Sequence, residues 1–201
     1  MPLSRRRFIA SAASLGVPAS ALRAQTTRPA TPSSTEGPYY PENFTAEPMP
    51  NLLRGAPLGP AVPLALEGRV LDRFGKPVAG ARVEIWQCDA LGHYTHSHES
   101  RASERDPNFA GFGWVRTDAE GRYAFSTLRP VPYPGRTPHI HVGVKAAKVR
   151  PLVTQMYIDG LAQNQSDFLY SSMPPGQRAL VTVKLEPVGA GQRAVFDLVL
   201  A

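Results

Sequence analysis

The chain has 201 residues, with 22 Lys and Arg against 16 Asp and Glu and a formal net charge of +6. That length suits one domain whose core needs no staples, and a single cysteine, Cys88, excludes an intrachain disulfide. With 17 Gly, 21 Pro and only 8% aromatic residues, the composition favours a turn-rich all-β domain over a helical one.

The chain opens with Ser4-Arg5-Arg6-Arg7-Phe8-Ile9, a twin-arginine signature. An apolar run to Val17 follows, then small residues around Ala21 and Ala24. Residues 1–24 are therefore predicted to be a twin-arginine signal peptide, cut after Ala21 or Ala24, that sends the protein to the periplasm or the exterior. The apolar run is too short to remain as a membrane anchor. This route carries folded proteins, so a metal can be loaded before export. Without the leader, 18 basic residues face 16 acidic ones and the net charge is +2. The basic excess belongs largely to the signal, and the domain itself is not a nucleic-acid binder.

Residues 25–63 are rich in Pro, Thr and Ser and lack apolar periodicity, which predicts an extended N-terminal arm lying on the domain. Within it Thr35-Glu36-Gly37-Pro38-Tyr39-Tyr40-Pro41 reads either as a surface turn or as an anchor near a pocket mouth. Regular structure begins at Leu64, where apolar and polar positions alternate up to Asp72. The turn Asp72-Arg-Phe-Gly-Lys-Pro77 leads into a strand over Ala81–Gln87. Further strands are predicted near Gly111–Arg116, Arg122–Thr127, His139–Lys145, Leu152–Ile158, Ala179–Leu185 and Ala194–Leu200. Residues 64–201 thus read as a β-sandwich of about eight short antiparallel strands. Pro174-Pro175-Gly176-Gln177 limits any helix to a short one between Leu161 and Tyr170.

Chemistry concentrates in Arg129-Pro-Val-Pro-Tyr-Pro-Gly-Arg-Thr-Pro-His-Ile-His-Val142. On a strand, His139 and His141 share a face and can present two imidazoles to one ion. Prolines 130, 132 and 134 stiffen the backbone around Tyr133, and Arg136 is close enough to serve the same pocket. The competing reading is a strand with two histidines on its solvated face. A second histidine group, His93, His96 and His98, follows the strand ending at Gln87. It reads as a solvent-facing polar loop, with a zinc or copper site as the alternative.

Taken together, the motifs resemble the intradiol ring-cleavage dioxygenases, and among these the iron-bearing beta chain of protocatechuate 3,4-dioxygenase. The resemblance runs through Thr35-Glu-Gly-Pro-Tyr-Tyr40, Val83-Glu-Ile-Trp-Gln-Cys-Asp-Ala-Leu-Gly-His-Tyr94 and Asp106-Pro-Asn-Phe-Ala-Gly-Phe-Gly113. It continues through Thr117-Asp-Ala-Glu-Gly-Arg-Tyr123, Arg129-Pro-Val-Pro-Tyr-Pro134, Arg136-Thr-Pro-His-Ile-His141, Thr154-Gln-Met-Tyr157 and Phe196-Asp-Leu-Val199. It implies a non-haem Fe(3+) held by Tyr94, Tyr133, His139 and His141, and a small aromatic diol and O2 as substrates. Tyr133 is then the displaceable ligand and base, Arg136 the stabilising cation, Gln155 a neighbour of the same oxygens, and Gly37, Pro38 and Tyr39 part of the substrate pocket. The implied product is a cis,cis-muconate-type diacid, reached through a cyclic anhydride.

Two departures stand out. Gly135 occupies the place of a roofing tryptophan in a longer loop, so the pocket is expected to be more open. The helical dimerisation segment of the catechol 1,2-dioxygenases is absent, which leaves open a homo-oligomer and whether the arm serves its own or a neighbouring pocket. A rival resemblance, to transthyretin-like or carboxypeptidase-regulatory β-sandwich modules, rests on Gly68-x-Val-x-Asp72 and Thr117-Asp-x-x-Gly-x-Tyr-x-Phe125. It implies binding without catalysis and does not account for the tyrosines, Arg136 and the histidine pair.

Overall fold

The computed structural model describes residues 26–201, so the signal read at residues 1–24 lies outside them. Among the described residues ten strands form two five-stranded sheets. The first sheet is built on β1 (Pro63–Leu71), which pairs antiparallel with β4 (Arg122–Leu128) along one edge. Its other edge carries β9 (Gly191–Val195) and then β10 (Leu198–Val199), both parallel, and β8 (Glu186–Val188) pairs with β9. The second sheet runs β3 (Phe112–Arg116), β2 (Arg82–Trp86), β5 (His139–Lys145), β6 (Leu152–Ile158) and β7 (Thr182–Val183). The fold is all-β, as read from the sequence.

The core joins the two sheets in one cluster. Leu64, Leu66 and Val70 of β1 share it with Val83, Ile85, Ile140, Val142, Val144 and Met156 of the second sheet. Each such side chain contributes ~1.5–3 kcal/mol by leaving water. Because β5 alternates, committing Ile140, Val142 and Val144 to the core puts His139 and His141 on the opposite face. That face is not solvated. All residues of β5 except Lys145 are buried, because the arm and two loops roof it.

Four expectations about the elements need correction. The sheets are mixed rather than purely antiparallel, since β1–β9, β1–β10 and β6–β7 run parallel. The strand read over Ala179–Leu185 shrinks to Thr182–Val183, because Pro174 and Pro175 start a helix, α2 (Pro175–Arg178), instead of only ending one. A second short helix, α1 (Phe168–Ser172), precedes it, beyond a 3-10 turn at Ala162–Gln165. The strand read over Ala194–Leu200 is broken between Val195 and Leu198. There the Phe196 carbonyl accepts from Tyr123 Oη at 2.5 Å, and Asp197 Oδ1 accepts from Arg69 N at 2.9 Å. A Cβ on Gly68 would lie 2.0 Å from the Phe196 carbonyl oxygen, so glycine is required where the chain crosses over β1.

Residues 26–62 carry no strand but are pinned along their length. Thr31 N donates to Val199 O at 3.0 Å, Ser34 N to Val153 O at 2.7 Å and Met49 N to Trp114 O at 2.8 Å. Among the described residues no helix is long and apolar enough to cross a membrane.

Candidate metal centre

The outer face of the second sheet supplies the floor of the site. Register places Trp86 of β2, His141 of β5 and Gln155 of β6 side by side, with His139 beside Tyr157 in the next row. Trp86 stacks on the His141 ring at 4.9 Å and 11° and holds its plane. His139 Nδ1 lies 2.7 Å from the Thr137 carbonyl. A carbonyl only accepts, so Nδ1 carries the proton and Nε2 presents its lone pair. That Nε2 is 3.1 Å from Nε2 of His141, and both imidazoles are buried.

Two loops bring the tyrosines. The loop after β2 is built on Asp89, whose buried carboxylate accepts from Leu91 N, His93 N and Asp106 N at 2.9, 3.0 and 2.7 Å. Glu99 Oε2 accepts from Tyr94 N at 3.1 Å. Tyr94 is thus fixed by its backbone while its ring points into the site. The loop before β5 closes at Tyr133-Pro134-Gly135-Arg136, where Arg136 N donates to Tyr133 O at 3.0 Å. Gly135 has φ +81, the left-handed third position of a turn with proline before it. This turn folds Arg136 back so that Nη1 meets Tyr133 Oη at 3.3 Å.

The four rings close a circuit. Centroid separations are 5.4 Å for Tyr94–Tyr133, 5.4 Å for Tyr133–His139, 4.8 Å for His139–His141 and 6.4 Å for His141–Tyr94. Burial pushes the His139 imidazole down to about 4, with the nearby Arg136 charge acting the same way. Burial, then His139 and Arg136, hold His141 well below its ordinary value. Both rings are therefore neutral at pH 7, the form that binds metal.

Tyr94 tests the fit. Its hydroxyl is buried with no hydrogen-bond partner, although the Tyr133 hydroxyl is near enough to perturb it. Burial, then Cys88 and Tyr133, push this phenol well above its usual value. An unpartnered buried hydroxyl is costly, and a cation at this point removes the cost by taking the phenolate as a ligand. Tyr133 is only half-buried, and its phenol is raised mainly by burial and opposed by Arg136. Two neutral imidazoles and two phenols with no thiol suit a hard, highly charged ion such as ferric iron.

Arg136 is held on every side. Nε donates to Asp167 Oδ2 at 2.8 Å, and Nη2 donates to Gln155 Oε1 at 2.5 Å and approaches Tyr157 Oη at 3.5 Å. Gln155 Oε1 also accepts from Tyr157 Oη at 2.8 Å, and its Nε2 reaches Thr35 O in the arm at 3.3 Å. The arm covers the remaining side of this same chain's site. Tyr39 stacks on Tyr94 at 4.3 Å and 11°, a Cβ on Gly37 would lie 3.4 Å from His141 Cε1, and Pro38 is exposed between them. Tyr40 anchors the arm by donating to Glu84 Oε2 at 2.9 Å.

The structure thus brings Tyr94, Tyr133, Arg136, His139, His141, Gln155, Gly37 and Tyr39 together. Of the loop histidines, His98 is exposed and His96 partly so, but His93 is buried, which corrects the solvent-facing reading for that residue. Asp89 draws the loop inward, and His93 ends up 3.9 Å from Glu99 and 3.8 Å from Glu104. Among the described residues no three His, Cys, Asp or Glu side chains converge to hold a metal. Gly135 is exposed and a Cβ there would meet nothing within 4 Å, so that rim is open. Sequence reasoning missed Tyr157 and Asp167. Tyr157 was accessible, since it shares a strand face with Gln155 opposite the histidines. Nothing links Asp167 to Arg136 across 31 residues.

Comparison with known proteins follows the same lines. A family model described as Dioxygenase matches residues 35–201. The protocatechuate 3,4-dioxygenase beta chain of Burkholderia cepacia is 41% identical over 132 residues, covering 62% of this chain and 55% of that one. The chlorocatechol 1,2-dioxygenase of Pseudomonas sp. strain P51 is 31% identical over 197 residues, covering 89% and 73%. The chain belongs to the intradiol ring-cleaving dioxygenase family. Its fold is also that of the dioxygenase domain of a dioxygenase carbohydrate-binding protein fusion from Streptomyces sp. SirexAA-E. The TM-score is 0.70 at 32% identity, covering 86% of this chain and 98% of that domain. The chain spans about half the length of several relatives it matches. Family membership sets aside the rival resemblance to transthyretin-like or carboxypeptidase-regulatory modules.

Proposed function

We propose that the chain is an Fe(3+)-dependent intradiol dioxygenase that inserts both atoms of O2 into a catechol-type diol and releases a cis,cis-muconate-type diacid. The observation that carries this reading is the buried, unpartnered Tyr94 hydroxyl facing two neutral histidines and Tyr133. Tyr94, Tyr133, His139 and His141 would hold the metal. Bound ferric iron supplies a centre that accepts electron density from a catecholate and so opens its ring to O2. Two phenolates offset most of that charge.

The chain's own residues do the rest. Tyr94 is enclosed and stays a fixed anionic donor. Tyr133, half-buried on its proline frame, is free to turn aside and take a diol proton on its phenolate oxygen. Arg136 stabilises both that phenolate and negative charge on the substrate, as a preorganised cation. Gln155 and Tyr157 fix the Nη2 edge of Arg136. Gly37, Pro38 and Tyr39 line the substrate side and exclude water. The open rim at Gly135 admits diols larger than catechol. Export by the twin-arginine route belongs to the same reading, and replacing Arg5 and Arg6 with Lys should leave the protein in the cytoplasm.

The test is turnover of catechol, hydroxyquinol and protocatechuate by iron-loaded protein. O2 uptake should equal diol consumed, with a muconate-type absorbance appearing. Fully iron-loaded protein that consumes none of the three diols would contradict the proposal.

A further inference from the structure

Asp167 is a fully enclosed acidic group beside the site and no step above uses it. Its side chain is fully buried and each oxygen has a separate task. Oδ1 accepts from Leu169 N at 3.1 Å and Tyr170 N at 3.0 Å and caps α1. Oδ2 accepts from Arg136 Nε at 2.8 Å and Thr137 N at 3.0 Å. A cap needs only the first pair, and a five-residue helix at the surface needs no buried charge to start it. Burying a carboxylate is costly unless it is paired and bonded. Burial opposes its charge, yet donors from Tyr170, Thr137 and Arg136 together keep its carboxyl below the usual range.

The second oxygen faces the catalytic side. A guanidinium is a planar fork, and anchoring Nε fixes the plane in which both Nη groups lie. With Nε on Asp167, Nη1 points at Tyr133 and Nη2 at Gln155. The same segment reaches further through Asn164, whose Oδ1 accepts from Thr137 Oγ1 at 2.8 Å and whose Nδ2 donates to Ile158 O at 2.8 Å. Thr137 in turn supplies the carbonyl that sets the His139 tautomer.

We infer that Asp167 is a positioning residue: its Oδ2 locks the plane of the Arg136 guanidinium so that the cation meets the Tyr133 oxygen and the substrate. The inference rests on the proposed function for its catalytic consequence, but not for its geometry. Asp167→Asn separates the two tasks. The amide oxygen can keep the α1 cap, and the amide nitrogen then opposes Arg136 Nε donor to donor. Displacing a positioned group by about 1 Å costs ~10²-fold in rate. Asp167→Asn should therefore lower kcat by about that factor, with KM and bound iron nearly unchanged. In an Arg136→Leu background the same change should cost little more, because the group it positions is gone. Equal losses in both backgrounds, or no loss in kcat, would overturn the inference.

A readout independent of activity is the 15N–1H signal of Arg136 Nε in metal-free protein, assigned by its absence in Arg136→Leu. It should exchange slowly in wild type and fast in Asp167→Asn. Fast exchange in wild type overturns the inference whatever the enzyme does, and it decides the matter even if Asp167→Asn fails to fold. Slow, Asp167-dependent exchange in a protein that turns over no diol would instead reject the proposed function and leave the positioning role standing.

Discussion

The two loops that carry Tyr94 and Tyr133 deliver the same side chain in opposite ways. The Tyr94 loop is clamped by Asp89 and Glu99, its ring is stacked under Tyr39, and its hydroxyl is enclosed without a partner. The Tyr133 loop is a proline-framed turn at an open rim, its ring is half-buried, and its hydroxyl already has Arg136 beside it. One phenol has nowhere else to go, and the other has a cation to meet when it moves. On the proposed function the difference suits them to separate work, one as a permanent ligand and one as a ligand that leaves and returns.

Replacing each tyrosine separately tests that division and should give the largest effects. Tyr94→Phe should lose most of its iron in metal analysis, and its turnover should fall by more than the ~10–100-fold that follows from disturbing a group that only supports a ligand. Tyr133→Phe should keep more iron but lose a proton acceptor, a cost of ~10²–10⁴ in rate. Equal iron loss in both variants would erase the distinction between the loops.

Arg136→Leu comes next, since Arg136 bonds the Tyr133 hydroxyl and not that of Tyr94. Losing a preorganised charge partner costs ~10²–10³ in kcat, while iron content should stay near wild type. Lys at this position should rescue only in part, because a compact ammonium lacks the planar fork whose separate nitrogens reach Asp167, Tyr133 and Gln155. Steady-state kinetics with parallel iron determination separates the two effects.

Gly37→Ala probes the cover over the Tyr94 side with a smaller change. Gly37 has φ +72, so a side chain there costs ~1–2 kcal/mol of backbone strain, and its Cβ would touch the His141 ring. The melting temperature should drop by a few degrees, and turnover should fall only a few-fold. The smallest effect should come from replacing His96 and His98 together with Ala. Both lie outside the ring circuit, so iron and kcat should change less than about twofold, in line with other substitutions of solvated groups. Loss of iron in that double variant would move the metal to the wrong histidines.

The same contrast explains what the sequence disclosed. His-x-His on a strand is a local pattern with period two, so the shared face of His139 and His141 was legible from spacing. Arg136 was likewise placed near the pocket by its distance from His139, although the Pro134-Gly135 turn that returns it to Tyr133 was not read. Tyr94 reaches the site only through the Asp89 and Glu99 clamps, and no periodicity marks it; a family resemblance was needed. Asp167 was invisible because the partner of a buried carboxylate is chosen in three dimensions, here 31 residues upstream. Parallel pairing of β1 with β9 and β10 was hidden for the same reason, since alternation says which face is buried but not which way the neighbour runs. Pro187 masked β8, as proline does on edge strands.

The central claim is that Tyr94 and Tyr133 bind ferric iron as phenolates beside His139 and His141. The most direct measurement is the visible spectrum of untagged protein together with its iron content per chain. A broad phenolate-to-iron charge-transfer band should give a wine-red protein, and the band should shift or weaken in both Tyr94→Phe and Tyr133→Phe. A colourless protein holding one ferric ion per chain would show that the tyrosines are not its ligands.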